Sequence, residues 1–324
     1  MTTRLGVIMD PLDSINIKKD STLAMLEAAA CRGWEIFYME MRDISLHGET
    51  AMGQVRKLTL NLAQSDWYAL SEIRSLPLGD LDVILMRKDP PFDTEYIYST
   101  YILEKAEQAG ALVVNRPASL RNANEKLLTA WFPQCCTASL VSRHRDEIKA
   151  FILEQQDVIL KPLGEMGGAS IFRVRHDDPN INVIIETLTS HEHRYIMAQK
   201  YIPEISAGDK RILLIDGKPV PYALARIAAT GETRANLAAG GRGEGVELSE
   251  RDYWICEQVA PTLTAMGLTF VGLDVIGNYL TEINSTSPTC IRELDKIYGL
   301  SIADDLLDCI ETKLNEGDSV AAEN

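Results

Sequence analysis

Residues 270–292 read FVGLDVIGNYLTEINSTSPTCIR. Its apolar runs and the Gly-Asn pair between them predict a strand, a tight turn and a second strand, followed by a segment rich in Ser, Thr and Pro. Asp274, Glu282 and Asn284 are spread along the two strands. Carboxylate and amide oxygens are the ligands that a hard divalent cation prefers. The stretch therefore predicts a metal-binding hairpin, although spacing alone also allows acids that simply face solvent.

The length of the turn decides which side chains of this hairpin share a face. A two-residue turn at 277–278 would place Asp274 opposite Thr281 and direct Glu282 to the other side of the sheet, because a shift of one residue exchanges the faces. A three-residue connection, 277–279, pairs Asp274 with Glu282 and keeps the third oxygen donor on the same face. We expect the three-residue connection, because the other register directs acids into the core.

The composition excludes several classes of protein. The chain has 324 residues, enough for two or three packed units. Its net charge of −15 argues against a general binder of nucleic acid or of a membrane surface, because both are polyanions. No apolar run approaches the roughly 18 residues that span a bilayer, and the first residues lack the apolar core of a signal peptide. The 6 cysteines include no C-x-x-C pair, so we expect no disulfide, no zinc site and a cytoplasmic location.

The first 121 residues alternate between predicted strands and predicted helices. Apolar runs predict strands at 5–9, 34–39, 82–86 and 111–115, and capped segments predict helices at 21–32 and 94–109. Residues 43–75 are polar, and we predict irregular structure there. The alternation is typical of an α/β domain, in which helices cover a parallel sheet. Ligands bind at the carboxyl ends of such strands, where Asp10, Arg87 and Asp89 lie.

From residue 122 onward the pattern indicates a largely antiparallel, α+β arrangement. Helices are predicted at 122–132, 146–155, 180–189, 249–266 and 300–314, and strands at 158–161, 171–175, 195–201, 211–215 and 219–226. The Asp216-Gly217 pair between the last two strands is a strong hairpin signal. Residues 227–247 are rich in glycine and show no periodicity, which is typical of a functional or disordered loop. Residues 316–324 are small and acidic, and we predict a disordered tail.

A second glycine-rich stretch, PLGEMGGAS at residues 162–170, lies between two predicted strands. Its glycines allow backbone N–H groups to approach phosphate oxygens, although a plain hairpin turn is the alternative. It is not a Walker A loop, because the G-x-x-x-x-G-K-[ST] pattern is absent. Lys161 directly before the loop favours phosphate binding. The other basic candidates for anion contacts, each of which could equally form a surface ion pair, are Lys126, Lys210, Arg211, Arg226, Arg234 and Arg242.

These stretches together closely resemble the bacterial glutathione synthetases, which have the ATP-grasp fold. The matching segments are MDP (9–11), NIKKDS (16–21), LDVILMRKDPPFDTEYIYSTYILEKAE (81–107), NEK (124–126), ILKPLGEMGGASIFRV (159–174), GDKRILLIDGKPVPYALARI (208–227), GETRANLAAGGRGE (231–244) and FVGLDVIGNYLTEINSTSPTCIRE (270–293). The resemblance implies an N-terminal α/β domain over 1–121, a central ATP-grasp subdomain over 122–202 and a C-terminal subdomain over 203–315, ahead of the tail at 316–324.

The resemblance also implies a reaction. ATP would phosphorylate a carboxylate of γ-glutamylcysteine, and glycine would attack the acyl phosphate to give glutathione, ADP and phosphate. Phosphorylation turns oxide into a good leaving group, but it brings anions together, so cations must neutralise them. A ligase for another amino-acid or peptide pair, with residues 87–89 and 287–292 setting its specificity, is the main alternative. A non-catalytic nucleotide-binding protein on the same fold is a further one.

The roles of individual residues are likewise what the resemblance implies. The residues that would bind ATP are Lys126, Lys161, Gly164, Gly167, Gly168, Ser170, Gln199, Tyr201, Ile202 and Asp209. Two Mg²⁺ (or Mn²⁺) ions would be held by Asp274, Glu282 and Asn284. Transfer of the phosphoryl group would be assisted by Arg211, Asn284, Arg226 and, from a mobile lid at 227–243, Arg234. The candidates for substrate contacts are Asp10, Arg87, Asp89, Ser287, Thr289 and Arg292. The family also suggests a homotetramer.

Overall fold

A computed structural model describes residues 2–62, 66–165, 169–227 and 242–322, with side chains as far as residue 316. The α-helices in these ranges are α1 (Ser21–Cys31), α2 (Thr94–Gln108), α3 (Pro117–Asn122), α4 (Arg145–Gln155), α5 (Ile181–Thr189), α6 (Glu250–Ala265), α7 (Ile291–Tyr298) and α8 (Ile302–Ala322). The strands are β1 (Arg4–Ile8), β2 (Glu35–Met39), β3 (Ile44–His47), β4 (Thr50–Leu60), β5 (Tyr68–Leu70), β6 (Arg74–Pro77), β7 (Val83–Met86), β8 (Leu112–Val114), β9 (Ser139–Ser142), β10 (Asp157–Pro162), β11 (Phe172–Arg175), β12 (Ile196–Lys200), β13 (Asp209–Ile215), β14 (Lys218–Ile227), β15 (Arg242–Glu247), β16 (Phe270–Ile276) and β17 (Tyr279–Asn284). None of the helices in these ranges is long and apolar enough to cross a membrane.

The N-terminal sheet has the order β3-β4-β2-β1-β7-β8, with β5 and β6 also paired to β4. Strands β1, β2, β7 and β8 run parallel, as the strand–helix alternation predicted. The prediction of irregular structure at 43–75 is wrong, because β3 to β6 form an antiparallel extension there. The strand signal in β4 is weak because two of its buried positions are the small residues Ala51 and Gly53, and polar residues follow them at 54, 56 and 57.

The central sheet, β11-β10-β12-β9, is antiparallel, and α4 and α5 cover its apolar face. The predicted helix at 122–132 is wrong. Helix α3 ends at Asn122, and a 3₁₀ turn spans Leu127–Trp131. The side chain of Asn124 accepts hydrogen bonds from the backbone N–H of Lys126 and of Leu127, at 3.2 and 2.9 Å. This local turn competes with a helix and leaves Lys126 on an irregular segment.

The C-terminal sheet has the order β15-β14-β13-β16-β17, and its core packs against α6. The predicted turn at Asp216-Gly217 is confirmed, since β13 ends and β14 begins on either side of it, and both residues have positive φ. Residues 228–241, most of the predicted glycine-rich loop, lie outside the described residues. The prediction that this loop extends to residue 247 is wrong, because residues 242–247 form β15, which pairs with β14.

The metal hairpin reaches the expected register by another route. Asp274 pairs with Glu282, as predicted, yet Ile276 pairs with Tyr279, so the turn has two residues and not three. Pairing shifts by one residue between Asp274 and Val275, which leaves Thr281 as an extra residue on β17. This bulge has the same effect on the register as a longer turn.

Asn115 and helix α1 are among the residues that join the N-terminal domain to the C-terminal part of the chain. The side chain of Asn115 donates to the backbone oxygens of Phe270 and Ser285, at 2.8 and 2.7 Å, and accepts from Phe270 N–H at 2.8 Å. Helix α8 packs along α1 within one shared core. The disordered tail predicted from residue 316 is wrong as far as residue 322, because α8 continues to Ala322 with no proline to interrupt it, and residues 323–324 lie outside the described residues.

Candidate active site

One face of the C-terminal sheet carries a row of charged side chains. Arg211 on β13 is the register partner of Asp274 on β16, and Asp274 is the partner of Glu282 on β17. Asp209 and Arg226 are partners on β13 and β14, two residues along from Arg211. Register partners, and residues two apart on a strand, face the same side of a sheet. The sheet therefore gathers two arginines and three carboxylates on one face.

The carboxylate of Asp274 lies between two buried guanidiniums. Arg211 donates from Nε to Oδ1 at 2.5 Å and from Nη2 to Oδ2 at 3.0 Å, and Nη2 of Arg226 lies 2.8 Å from Oδ2. Arg226 also donates two hydrogen bonds to Asp209, at 2.8 and 2.5 Å. Burial alone would raise the pKa of Asp274, but the two guanidiniums outweigh burial and hold that pKa well below its usual range. Asp274 is therefore ionised at neutral pH.

Glu282 and Asn284 complete the predicted metal-binding set. Nζ of Lys126 lies 3.0 Å from Oε1 of Glu282 and donates to the backbone oxygen of Glu165 at 2.6 Å. The side-chain amide of Asn284 donates from Nδ2 to the backbone oxygen of Gly272 at 3.1 Å, which leaves its Oδ1 oxygen for a cation. Among the residues that the structure describes, no three His, Cys, Asp or Glu side chains form a metal cluster. The donors that do share this face are oxygens, which suits Mg²⁺ or Mn²⁺ better than zinc.

A buried lysine and an unpaired amide lie beside the hairpin. Nζ of Lys161, at the end of β10, donates to Oε1 of Gln199 at 3.3 Å and to the backbone oxygen of Thr281 at 3.1 Å. Burial lowers the pKa of Lys161. Nε2 of Gln199 is buried and has no hydrogen-bond partner within the described part of the chain. Because buried polar groups are normally paired, this donor and the buried lysine fit a polar, anionic ligand such as a nucleotide.

Four further residues predicted to bind the nucleotide belong to the small glycine-rich loop at 162–170. Gly164 lines a cleft with Lys126, while Gly167 and Gly168 lie outside the described residues. Ser170 is exposed and has a positive φ of 57°.

Three predicted nucleotide residues follow β12. Ile202 is buried, and the ring of Tyr201 lies under the guanidinium of Arg173, 3.6 Å from the ring centroid. Asp209, the third of them, accepts two hydrogen bonds from Arg226. Its position in the sheet therefore serves the charged row described above.

Three of the predicted substrate residues belong to one group, namely Arg87, Ser287 and Thr289. Arg87 is buried, and its Nη2 donates to the backbone oxygen of Pro288 at 2.8 Å. Ser287 donates from Oγ to the backbone oxygen of Arg87 at 3.3 Å. The structure thus places Arg87 against residues 285–289, which we call the substrate loop and which include Thr289.

Asp10, Asp89 and Arg292 are held by other partners. Asp10 pairs with Lys88 at 2.8 Å and accepts from the backbone N–H of Asp89 at 3.0 Å. Arg292 is engaged by helix α1, where it reaches Glu27 at 2.5 Å. Arg234, the predicted lid residue, lies outside the described residues.

Both halves of the chain match a known protein family. The family described as prokaryotic glutathione synthetase, N-terminal domain, matches residues 3–121, and the one described as prokaryotic glutathione synthetase, ATP-grasp domain, matches residues 125–299. The chain belongs to the prokaryotic glutathione synthetase family.

Relatives in the glutathione synthetase family match over nearly their whole length. Glutathione synthetase of Pseudomonas aeruginosa is 59% identical over 314 residues, which cover 97% of this chain and 99% of that protein. Glutathione synthetase of Vibrio vulnificus (strain YJ016) is 58% identical over 314 residues, with the same coverage of 97% and 99%. Among solved structures, D-cycloserine synthetase superposes with a TM-score of 0.68 at 12% identity, over 96% of this chain and 99% of that one, which shows the fold. These findings confirm the predicted ATP-grasp fold and the class of enzyme, an ATP-grasp ligase.

Sequence reasoning missed one charged residue of this glutathione synthetase family member. Glu125 lies within the NEK segment, beside Lys126, and its partly buried carboxylate accepts three hydrogen bonds from residues 285 and 286 of the substrate loop. The prediction for this segment rested on Lys126, because a lysine side chain can bind phosphate directly. The signal for Glu125 was an acid next to a lysine that was predicted to bind phosphate, and this signal is informative only once the partners of Glu125 are known.

Proposed function

We propose that this protein makes glutathione by joining γ-glutamylcysteine to glycine, with ATP as the source of energy. Membership in the glutathione synthetase family supports glutathione synthesis by ATP-dependent ligation, and with it the use of ATP and a divalent metal. The mechanism rests on one observation: the row of Arg211, Asp274 and Glu282 meets Lys126 from the central subdomain. The roles of the residues below follow from that geometry.

The proposed chemistry has two steps. A carboxylate oxygen of γ-glutamylcysteine forms a bond to the γ-phosphorus of ATP, and the bond between that phosphorus and the oxygen of ADP breaks. The amine of glycine then forms a bond to the acyl carbon, and phosphate leaves with the former carboxylate oxygen. The amine proton passes to solvent. Both steps bring anions close together, so they depend on cations and on the exclusion of water.

Asp274, Glu282 and Asn284 would hold the metal. Two Mg²⁺ (or Mn²⁺) ions, when bound, would neutralise the negative charge of the phosphate groups. The carboxylates of Asp274 and Glu282 are already in contact with Arg211 and Lys126. The cationic side chains of Arg211 and Lys126 would therefore stay beside these carboxylates and face the incoming phosphates.

The basic residues would bind the transferring phosphoryl group and ATP. Lys126 and Lys161 would bind phosphate oxygens, and Lys126 already contacts Glu165 of the small loop 162–170. Arg211 would stabilise charge on the phosphoryl group, and Arg226 would hold Asp274 in place for it. Arg234, on a stretch outside the described residues, is proposed to join them.

The substrate loop would bind γ-glutamylcysteine. Arg87, Ser287 and Thr289 are the proposed contacts, with Asp10 and Asp89 at the neighbouring strand ends. Arg292 is committed to Glu27 and to the backbone oxygen of Asp20, at 2.5 and 2.9 Å, so we propose that it fixes α7 behind the loop.

Release of ADP that depends on glycine is the test of this function. The purified chain would be assayed with ATP, Mg²⁺ and γ-glutamylcysteine, with and without glycine, and glutathione would be measured by mass spectrometry. The proposal expects stoichiometric ADP, phosphate and glutathione. Turnover only with a different amino-acid or peptide pair in a parallel panel would replace this substrate assignment, and no amine-dependent ADP with any pair would overturn the ligase function.

We also propose a homotetramer in the cytoplasm. The tetramer is supported by the family resemblance, and sedimentation equilibrium tests it. The location is supported by the 6 cysteines, which are all free thiols and thus suit a reducing compartment. Fractionation of cells that express the tagged chain tests the location.

A further inference from the structure

Glu125 makes an unusual set of contacts with the residues that follow the metal hairpin. One oxygen of its side chain, Oε1, accepts three hydrogen bonds: from the backbone N–H of Ser285 at 2.8 Å, from the backbone N–H of Thr286 at 3.0 Å and from Oγ1 of Thr286 at 2.8 Å. Its backbone oxygen accepts a fourth, from the N–H of Ile283 at 2.8 Å. One residue therefore holds the chain from the end of β17 into the substrate loop.

The two neighbours of Glu125 contact other parts of the site. Asn124 donates from Nδ2 to the backbone oxygen of Leu163, in the small glycine-rich loop, at 3.1 Å. Lys126 reaches Glu165 in the same loop and Glu282 on the metal strand. Residues 124–126 thus join the small glycine-rich loop, strand β17 and the substrate loop.

The substrate loop is held from its other side by the N-terminal domain. Arg87 donates to the backbone oxygen of Pro288 and accepts, through its own backbone oxygen, from Ser287. The loop is therefore fixed at residues 285–286 by Glu125 and at residues 287–288 by Arg87. Arg87 is buried and Glu125 is partly buried, and together their hydrogen bonds fix four consecutive residues of the loop.

Burial of the Glu125 carboxylate is costly, which indicates that its contacts matter. Burial, and the nearby charge of Glu282, raise the pKa of Glu125, and the three hydrogen bonds oppose that shift. The neighbouring hydroxyls of Tyr96 and of Ser285 are buried and have no hydrogen-bond partner within the described ranges. A carboxylate in such a place adds little net stability, so its three hydrogen bonds to residues 285 and 286 are the contribution to examine.

We propose that Glu125 is a positioning residue for the ligase reaction: it holds the substrate loop in the shape that binds the dipeptide, and it ties that shape to the phosphate-binding segment next to it. This inference rests on the proposed function. Glu125 itself touches no substrate in this account. It acts through Ser285 and Thr286, and its removal should weaken dipeptide binding more than nucleotide binding.

The hydrogen bonds suggest a matched pair of variants. Because all three side-chain bonds end on Oε1, Glu125→Gln can keep each of them through its amide oxygen, whereas Glu125→Ala removes them all. Thr286→Val removes one donor and keeps the branched shape. Glu107→Ala, on α2, removes a half-buried glutamate that pairs with Arg116 at 3.7 Å away from the site, and it serves as the control.

The experiment compares KM for γ-glutamylcysteine, KM for ATP, kcat and Tm of the full chain. We expect Glu125→Ala to raise KM for the dipeptide about tenfold or more, on the order of one charged hydrogen bond, with a change of less than about threefold in KM for ATP. Glu125→Gln should recover most of this loss, and Thr286→Val should show a smaller increase. Equal effects of the alanine and glutamine variants, or a lower Tm with an unchanged KM for the dipeptide, would overturn the proposal.

Backbone hydrogen exchange separates this proposal from the proposed function. The amides of residues 285 and 286 should exchange faster in Glu125→Ala than in the parent chain and Glu107→Ala, whatever the substrate proves to be. If the parent chain makes no glutathione, the proposed function fails, and the exchange result still decides whether Glu125 holds the loop. If Glu125→Ala does not fold, Glu125→Gln and Thr286→Val carry the test: an unchanged KM and unchanged exchange in Thr286→Val would contradict it.

Discussion

Arg211 lies directly across from Asp274 on the neighbouring strand and binds its carboxylate through two hydrogen bonds, at 2.5 and 3.0 Å. Arg226 binds the same carboxylate from the other side. Replacing Asp274 by Asn should therefore leave two buried guanidiniums short of a negative partner. We expect a loss of roughly 3–5 kcal/mol in the free energy of unfolding, as for other buried pairs with one member removed. Urea unfolding without metal measures this loss, and an unchanged midpoint would show that the buried pairing does not stabilise the fold.

Glu282 differs from Asp274 because it is partly exposed and pairs with one lysine. Glu282→Gln should lower kcat on the order of 100-fold or more, since a metal ligand is lost, while Tm changes by only a few degrees. Glu247→Gln, an exposed acid on the same sheet, is the control and should retain activity. Near-normal kcat in Glu282→Gln would show that the metal assignment is wrong.

Lys161 is predicted to contribute to ligand binding without contributing to stability. Its ammonium is buried, and burial lowers its pKa, so the folded protein does not favour the charge. Lys161→Met keeps most of the apolar stem, and it should weaken ATP binding about tenfold or more while Tm stays the same or rises. Isothermal titration and thermal unfolding measure the two effects. Normal ATP affinity, or a large fall in Tm, would contradict this account of the lysine.

The thiol of Cys136 should react slowly at ordinary pH. Burial raises the pKa of Cys136 to about 11, whereas Cys31 is exposed. Only the thiolate is alkylated, so at pH 8 roughly one Cys136 thiol in a thousand is reactive, and its rate should rise about tenfold per pH unit up to pH 10. Native alkylation with iodoacetamide, quantified by peptide mass spectrometry against Cys31, follows this rate. A rate for Cys136 that levels off below pH 9 would contradict the raised pKa.

The sequence was most informative where a pattern and its chemistry agree. The hairpin within 270–292 was predicted with Asp274 opposite Glu282, because two acids directed into a core would be too costly. The route was different, since a bulge at Thr281 supplies the register that we assigned to a longer turn. Bulges have little sequence signature, and either device gives the same pairing.

The sequence was least informative where side chains act through long-range partners. Strands β3 to β6 were missed because β4 has small buried residues and charged neighbours, so its apolar signal is weak. The link between Glu125 and Thr286 joins residues 161 positions apart. Neither residue indicates the other in sequence, and the fold alone brings them together.

The central claim is that ATP activates the carboxylate of γ-glutamylcysteine as an acyl phosphate, and transfer of oxygen tests it most directly. γ-Glutamylcysteine labelled with ¹⁸O in the reacting carboxylate would be incubated with the protein, ATP, Mg²⁺ and glycine, and the phosphate analysed by mass spectrometry. If the acyl phosphate forms, each phosphate released carries one ¹⁸O atom, and the amide carbonyl of glutathione keeps the other. Unlabelled phosphate formed together with glutathione would contradict it.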